Sequence, residues 1–297
     1  MRQNEQGTCP LGVDGEPRAV MAGPVERALR YVQHRSVGRP ISPNLRITLN
    51  FHPDLFVSGI PMIALLAREG IYRSQFETGT SNGGLTAYPG GDRWSWESRI
   101  FGGAYDTCDG ADLALRPKYG ALNYQADPVG GSPRFGSCHL RLRPHVLSRT
   151  TFCYPDSHLQ PEHFGVADRI ALIDMAVENS MKLDRLDDYV EAHVHGPLQI
   201  AEDVEAIVLD PCYRNTPVED AALNLPCALE WHGGFRLPLD HLDDCQRYRG
   251  IAAAEAIASM GACSVITPRD VGIARAAGMD PQLAKWVWHC VARFGRS

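Results

Sequence analysis

A short segment near the middle of the chain, Tyr-Val-Glu-Ala-His-Val-His at positions 189–195, contains residue types suited to acid–base or metal chemistry. Side chains alternate between the two faces of a β-strand, so Tyr189, Glu191, His193 and His195 share one face and three apolar residues share the other. The apolar face can pack into a core. The polar face either lines a cavity with Glu191 as a catalytic carboxylate, or meets solvent on an edge strand, and the spacing leaves both interpretations open.

The same segment also admits a metal site. His193 and His195 form a His-x-His pair on one strand face, and two imidazoles in this arrangement can share an ion with a third ligand. Four residues are candidates for that third ligand, and no spacing singles one out: His52, Asp54, His139 and His232. A metal-dependent hydrolase therefore stays open as an alternative.

Two further segments carry groups that bind anions or donate hydrogen bonds. Arg73 lies in a predicted strand, 71–77, directly before a polar Gly-rich loop, where a guanidinium can bind a phosphate or carboxylate through two hydrogen bonds. It can equally be an exposed arginine on an edge strand. Thr150, Thr151 and Phe152 offer two hydroxyls and an aromatic face on another predicted strand. The thiols near these strands, Cys138 and Cys153 among them, are interpreted as buried and inert.

Composition narrows the class of protein. The chain has 297 residues, 44% of them hydrophobic, and a net charge of -6, with no Lys/Arg cluster that favours a nucleic-acid surface. Its apolar runs are too short to cross a membrane, and its first twenty residues do not resemble a secretory signal. Nine scattered cysteines without a Cys-x-x-Cys pair fit reduced thiols in a cytoplasmic protein. Nucleotide-binding Gly-rich motifs, the Gly-x-Ser-x-Gly elbow and His-Glu-x-x-His are absent from the sequence.

The predicted elements indicate an α+β fold. Helices are expected at 24–34, 61–68, 166–177, 242–260 and 281–295, and strands at 46–51, 71–77, 119–124, 138–142, 150–154, 189–195, 204–209 and 228–237, with a loop at 78–92. Helices and strands do not alternate regularly, which disfavours a doubly wound parallel sheet. We expect a flexible tail (1–22), a catalytic α+β domain (23–240) and a C-terminal helical extension packed on it (241–297).

Two resemblances follow from these residues. Segments 71–84, 118–120, 149–157 and 191–196 resemble an uncharacterised bacterial family of unknown function, over about residues 30–237. Separately, the order Tyr72-Arg73-Ser74, Thr150-Thr151-Phe152 and Tyr189-x-Glu191 resembles the Arg, Ser-Thr-Ser, Glu signature of one class of ADP-ribosyltransferases. That resemblance implies a split β-sandwich core with flanking N- and C-terminal helices.

The transferase resemblance also implies roles. Arg73, with Ser74, would hold the phosphates and ribose of NAD from a strand, and Thr150 and Thr151 would brace the nicotinamide pocket in place of Ser-Thr-Ser. Glu191 would stabilise the oxocarbenium-like ribose as nicotinamide leaves. The other residues expected in the NAD site are Phe152, Tyr189 and His193.

The chain departs from the signature in two places. Thr150-Thr151-Phe152 lacks the last hydroxyl, and either Glu191 or His193 can occupy the position of the catalytic glutamate; we favour Glu191. The sequence thus predicts an enzyme that moves ADP-ribose from NAD to a macromolecular or small acceptor, with no resident metal and no membrane partner. The alternatives are the metal-dependent hydrolase and a binding module that keeps the fold without the chemistry.

Overall fold

The computed structural model describes residues 22–79, 86–179, 182–260 and 264–296. Its organising element is an eight-stranded mixed sheet with the strand order β10-β9-β5-β1-β4-β8-β6-β7. The strands within the described residues are β1 (Ile47–Phe51), β2 (Phe56–Val57), β3 (Ile60–Pro61), β4 (Lys118–Leu122), β5 (Cys138–Leu142), β6 (Thr150–Tyr154), β7 (His163–Val166), β8 (Glu191–Val194), β9 (Val204–Leu209), β10 (Ala228–Trp231), β11 (Leu237–Pro238) and β12 (Val265–Ile266). In the large sheet β9 and β10 run parallel, and every other neighbouring pair is antiparallel.

The strand that carries Glu191 lies inside the sheet, not at its edge. β8 pairs with β4 on one side and with β6 on the other. Val190, Ala192 and Val194 pack into the largest hydrophobic cluster, and Glu191 and His193 project from the opposite face. The predicted alternation is confirmed, whereas the interpretation as an edge strand with a wet face is wrong.

The sheet divides near its centre. β1 and β4 share two register pairs, Ile47 with Leu122 and Thr48 with Ala121. Beyond these pairs β1 continues beside β5, and β4 continues beside β8. The sheet therefore consists of two four-stranded halves, β10-β9-β5-β1 and β4-β8-β6-β7, joined by a short stretch of pairing. A cleft opens where they separate.

Helices flank the sheet. They are α1 (Pro24–Arg35), α2 (Met62–Glu69), α3 (Gln75–Thr78), α4 (Asp92–Ile100), α5 (Leu172–Asn179), α6 (Ile200–Asp203), α7 (Pro217–Ala222), α8 (Leu242–Arg249), α9 (Ile251–Met260), α10 (Pro268–Ala276) and α11 (Pro281–Phe294). α1 packs on β6 and β7 through Ala28 and Val32, in a cluster that includes Trp96 of α4. α5 contributes Leu172 and Ala176 to the cluster on the other face.

The last four helices build a separate hydrophobic cluster. Its core includes Cys245 of α8, Ile257 of α9, Val271 of α10 and Trp288 of α11. The Trp288 indole donates hydrogen bonds to the carbonyl oxygens of residues 133 and 134, at 3.1 and 3.0 Å. These bonds attach the C-terminal helices to the loop that precedes β5.

Several helices and strands begin or end at residues other than those predicted. Residues 71–77 are not a strand: the chain makes one isolated bridge at Ile71, and α3 then starts after Ser74. The predicted helix 166–177 begins only at Leu172, as α5, because Val166 belongs to β7 and pairs with β6. Gly250, with φ +88°, divides the predicted helix 242–260 into α8 and α9. The predicted strand 228–237 is likewise interrupted, between β10 and β11.

Some predictions lie partly or wholly beyond the described residues. The expected flexible tail falls almost entirely on residues 1–21, and the Gly-rich loop includes 80–85. The three-part domain division stays a prediction. None of the helices described is long and apolar enough to span a bilayer.

Candidate functional site

The cleft between the two sheet halves encloses about 370 Å³. Asn50 lies on the β1 side, and Tyr119 and Gly120 lie on the β4 side. Glu191 also lines the cleft, although its side chain is 5% exposed. A buried carboxylate that reaches a cleft is a candidate catalytic group.

Three hydrogen-bond contacts hold the Glu191 carboxylate. Oε2 accepts hydrogen bonds from the Ser157 hydroxyl at 3.0 Å and from the Ser157 backbone N–H at 3.3 Å. Oε1 lies 2.9 Å from Nε2 of His193. Burial raises the pKa of Glu191, while nearby Arg93, a hydrogen bond with Asp156 and the Ser157 donors act in the opposite direction. The carboxylate is thus confined to one orientation.

A second carboxylate, Asp156, lies beside the first. It lines the same cleft, and the Ser157 hydroxyl lies 3.3 Å from its Oδ1. The backbone N–H of His158 also donates to Oδ1, at 2.9 Å. Burial, followed by the negative charge of Glu191, raises the pKa of Asp156. Two neighbouring carboxyl groups of this kind can exchange a proton with a bound reactant.

Helix α4 brings a buried cation to the two carboxylates. Arg93 is 4% exposed, donates from its NH1 group to the Ser157 hydroxyl at 3.3 Å, and stacks over the Tyr119 ring at 4.1 Å. One turn later Glu97 pairs with Arg116 at 2.7 Å and accepts a hydrogen bond from the Tyr119 hydroxyl at 2.8 Å. Arg93 also lines the cleft, and its positive charge lowers the pKa of Glu191 and favours a negatively charged ligand.

Behind Glu191, polar groups form a continuous series of hydrogen bonds. His193 Nδ1 lies 3.1 Å from the Thr151 hydroxyl, which lies 3.0 Å from Nε2 of His195. His195 Nδ1 then lies 2.7 Å from the Tyr105 hydroxyl. We call Tyr105, His195, Thr151 and His193 the relay. All four side chains are at most 1% exposed.

Both relay imidazoles are neutral. Burial, followed by the positive charge of Arg93, lowers the pKa of His193 to about 3. Burial also holds the pKa of His195 well below its ordinary value, with His193 and Lys118 as further causes. Phe101 packs its edge against both rings. A second proton on either ring, which would make it a cation, is therefore unfavourable near neutral pH.

The structure brings some of the predicted site residues together. Arg73, Tyr189 and Glu191 line one cleft. Arg73 extends from a loop rather than a strand, is 42% exposed and pairs with Glu69 at 2.8 Å and Glu77 at 3.5 Å.

Other predicted residues lie away from the cleft lining. Ser74 caps α3 and donates to a backbone carbonyl at residue 113. Thr150 and Phe152 point to the opposite face of β6 from Thr151, with the Thr150 hydroxyl bonded to the carbonyl of Val146 and Phe152 in the main core. Thr151 and His193 act through the relay.

One observation supports a metal site, and two others count against it. Over the part of the chain that is described, the ligand atoms close enough to share an ion are those of Cys153, Glu191 and His193, within 4.8 Å of one another. That group leaves out His195 and the four candidate third ligands. Its His193 and Glu191 atoms already hydrogen-bond each other, so an ion would have to replace that bond.

A second cleft of about 780 Å³ adjoins the first. The two share four lining residues: Leu55, Phe56, Phe135 and Arg275. Helices α10 and α11 form its other wall, where Lys285 is half-buried and has a pKa lowered by burial and by Arg134. The cationic groups in this wall favour a negatively charged occupant.

Comparison with known proteins identifies the family. The model of a family described as "Protein of unknown function (DUF3626)" matches residues 46–182 and 172–287, which together extend from β1 into α11. The chain belongs to the DUF3626 family. No curated protein matches it. Membership confirms the resemblance to an uncharacterised family, and it extends over more of the C-terminal helices than the sequence comparison indicated.

Sequence reasoning missed Arg93, Asp156 and Tyr105. Arg93 directly follows the predicted loop 78–92 and lies in α4, a helix that was not predicted, and Tyr105 follows α4 in an irregular stretch. Asp156 had a usable signal, since it directly follows a buried strand, the position where functional side chains often occur. The other two carry no spacing signal, because tertiary packing alone brings them to β8.

Proposed function

We propose that this DUF3626 protein is an ADP-ribosyltransferase that cleaves NAD and passes ADP-ribose to an acceptor, with Glu191 as the catalytic carboxylate. One observation carries the proposal: Glu191 is buried, ionisable and held by fixed donors in a cleft that opens where the sheet divides into two halves. A divided sheet with a glutamate at the division is what the Arg, Ser-Thr-Ser, Glu resemblance implies.

In the proposed reaction the bond between the ribose C1′ and the nicotinamide nitrogen breaks, and its electron pair leaves with nicotinamide. Positive charge develops on the ribose ring, and the Glu191 anion stabilises it. The acceptor then bonds to C1′ and releases a proton. Asp156, next to Glu191 and raised in pKa, is positioned to take that proton.

Three arginines in the cleft lining are expected to bind different parts of the dinucleotide. Arg93 is buried near Glu191, whereas Arg73 and Arg275 lie farther along the cleft lining. Guanidinium groups bind phosphate oxygens through paired hydrogen bonds, so these side chains suit the diphosphate. Arg73 would have to exchange its contacts with Glu69 and Glu77 for the ligand. The adjoining cleft beside α10 and α11 is where an acceptor can approach.

The decisive experiment measures nicotinamide release from NAD by wild-type protein and by Glu191→Gln, with cell lysate as a source of acceptor. We expect the variant to lose at least about 100-fold in rate, because a neutral amide cannot stabilise the developing cation. Glu202→Gln, at an exposed position of α6, is the matched control and keeps full activity.

Two other outcomes have defined meanings. Equal release by wild type and Glu191→Gln would contradict the assignment of Glu191. An inactive wild type that carries stoichiometric zinc or another transition metal would favour a hydrolase with the Cys153, Glu191 and His193 group as its ligands. An inactive, metal-free protein that still binds NAD would be the binding module.

A further inference from the structure

The relay behind Glu191 contains enough hydrogen bonds to determine which atom carries each proton. It links Tyr105, His195, Thr151, His193 and Glu191 through four contacts of 2.7 to 3.1 Å. Each imidazole is neutral and therefore has one donor nitrogen and one acceptor nitrogen. Fixing the direction of one bond consequently fixes all the others.

Tyr105 fixes that direction. Among the described residues its buried hydroxyl hydrogen-bonds to Nδ1 of His195 alone, at 2.7 Å, so a Tyr105 that accepted there would leave its own O–H without an acceptor. The Tyr105 hydroxyl therefore donates to Nδ1 of His195, and the His195 proton resides on Nε2. That N–H donates to Thr151, the Thr151 hydroxyl donates to Nδ1 of His193, and the His193 Nε2–H donates to Glu191.

We propose that Tyr105, His195 and Thr151 are positioning residues that lock His193 as its Nε2–H tautomer and so hold Glu191 as an oriented anion. The inference rests on the proposed function only for its effect on catalysis; the proton positions follow from the hydrogen bonds alone. It assigns a role to four buried polar residues that otherwise would destabilise the core.

Reversing the direction of the relay hydrogen bonds shows why the tautomer of His193 matters. If the His193 proton moved to Nδ1, a lone pair on Nε2 would face Oε1 of Glu191 at 2.9 Å. Glu191 would then have to bind a proton to restore the hydrogen bond, and a neutral carboxyl would not stabilise a cation. Loss of the relay should therefore raise the pKa of Glu191.

Other groups also set the charge on Glu191, and the test must leave them unchanged. The charged and titratable side chains that face Glu191 or the relay are Arg27 from α1, Arg93 and Glu97 from α4, Cys108 and Arg116 from the segment between α4 and β4, Lys118 and Tyr119 from β4, Arg149 before β6, Cys153 from β6, Asp156 after it, and Tyr189. None of them is altered in the variants below.

The first variant is Tyr105→Phe, which removes the donor at the far end of the relay and keeps the aromatic ring. Tyr154→Phe is the matched control, because the buried Tyr154 hydroxyl donates to Asp188 at 2.8 Å, outside the relay. A second pair acts at the centre: Thr151→Val removes the shared hydroxyl, and Thr151→Ser retains it.

Two measurements read out the result. Nitrogen NMR of ¹⁵N-histidine-labelled protein, without NAD, should show His193 and His195 as neutral Nε2–H tautomers in wild type, Tyr154→Phe and Thr151→Ser. His193 should lose this single tautomer in Tyr105→Phe and Thr151→Val. For NAD cleavage, the acid limb of the pH–rate profile should move to higher pH by roughly one unit in the same two variants.

The two measurements test the relay and the proposed reaction independently. A protonated or Nδ1–H His193 in wild type would overturn the relay whatever the activity, and so would an unchanged tautomer and acid limb in both Tyr105→Phe and Thr151→Val. The expected tautomers in a wild type that does not cleave NAD would support the relay and overturn the proposed reaction. If Tyr105→Phe does not fold, the threonine pair decides.

Discussion

At the scale of single residues, the site depends on a conflict between burial and charge. Burial favours neutral Glu191, and the same burial removes the water that would weaken its hydrogen bonds. Ser157 resolves part of the conflict, because its hydroxyl and its backbone N–H both donate to one carboxylate oxygen. The carboxylate therefore keeps its orientation through local donors that a short turn supplies.

Ser157→Ala tests this contribution. The variant loses the hydroxyl but keeps the backbone donor, so we expect the rate of nicotinamide release to fall by about tenfold, equivalent to about 1.4 kcal/mol. The pKa of Glu191 should rise, and the acid limb of the pH–rate profile should move upward with it. Ser148→Ala, at an exposed hydroxyl, should change neither value. A wild-type rate in Ser157→Ala would show that the backbone donor suffices.

The sequence predicts residues of this site only where strand periodicity applies. Glu191, His193 and His195 share a face because they alternate on one extended segment, and that prediction is confirmed. Arg93 and Asp156 approach Glu191 from other elements. No spacing pattern in the sequence indicates that they contact it. Burial of the polar face was equally hidden, since it depends on β4 and β6 as neighbours.

At the scale of elements, the end of β1 is held in place by a tightly packed glycine. A Cβ atom added to Gly136 would lie 2.0 Å from the backbone carbonyl carbon of Phe51. The amide of Asn50, in the cleft wall, donates to the Gly136 carbonyl at 3.2 Å. The loop before β5 therefore sets the position of the β1 side of the cleft.

Gly136→Ala should consequently destabilise the fold. The added methyl group must displace backbone, which we expect to lower the free energy of unfolding by about 1–3 kcal/mol. Thermal unfolding measures the change. Gly23→Ala is the control, since a Cβ there meets nothing within 4 Å and φ is -62°. Equal melting temperatures for wild type and Gly136→Ala would mean that the loop can move away from β1.

Prediction of elements succeeded where a local pattern and tertiary pairing agree. The strands near 47–51, 138–142 and 150–154 and the helices at both ends of the chain lie close to their predicted positions. Segment 71–77 has strand-like composition, yet Ser74 and Glu77 form a reciprocal capping box that starts a helix. The strand order of the large sheet depends on which strands become neighbours in the fold, and the residue pattern does not predict it. The split β-sandwich that the transferase resemblance implies stays a prediction.

At the scale of the whole molecule, buried neutral histidines determine the response to acid. The pKa falls to about 3 for His52, His139 and His193 and to about 2 for His289, with burial as the first cause in each case, and it lies well below its ordinary value for His195. The unfolded chain binds protons at these residues near pH 6.5, whereas the folded chain does not.

Stability should therefore fall as the pH decreases below about 6.5, by roughly 1 kcal/mol per pH unit for each such histidine, down to the folded pKa values. The raised pKa values of Asp156 and Glu191 act in the opposite direction, since their protonation favours the folded state, and they offset part of the loss. Urea unfolding at pH 7.5, 6.5 and 5.5 and constant ionic strength measures the effect. Equal unfolding midpoints at the three values would contradict it.

The wall shared by the two clefts makes their occupancies interdependent. Phe135 and Arg275 contact both spaces, so a molecule that moves either side chain changes the shape and charge presented to the other. Thermodynamic reciprocity then requires each occupant to change the affinity of its neighbour by the same factor. In the proposed transferase, NAD in one cleft and the acceptor in the other would then add in a preferred order, in which the first to bind prepares the place of the second.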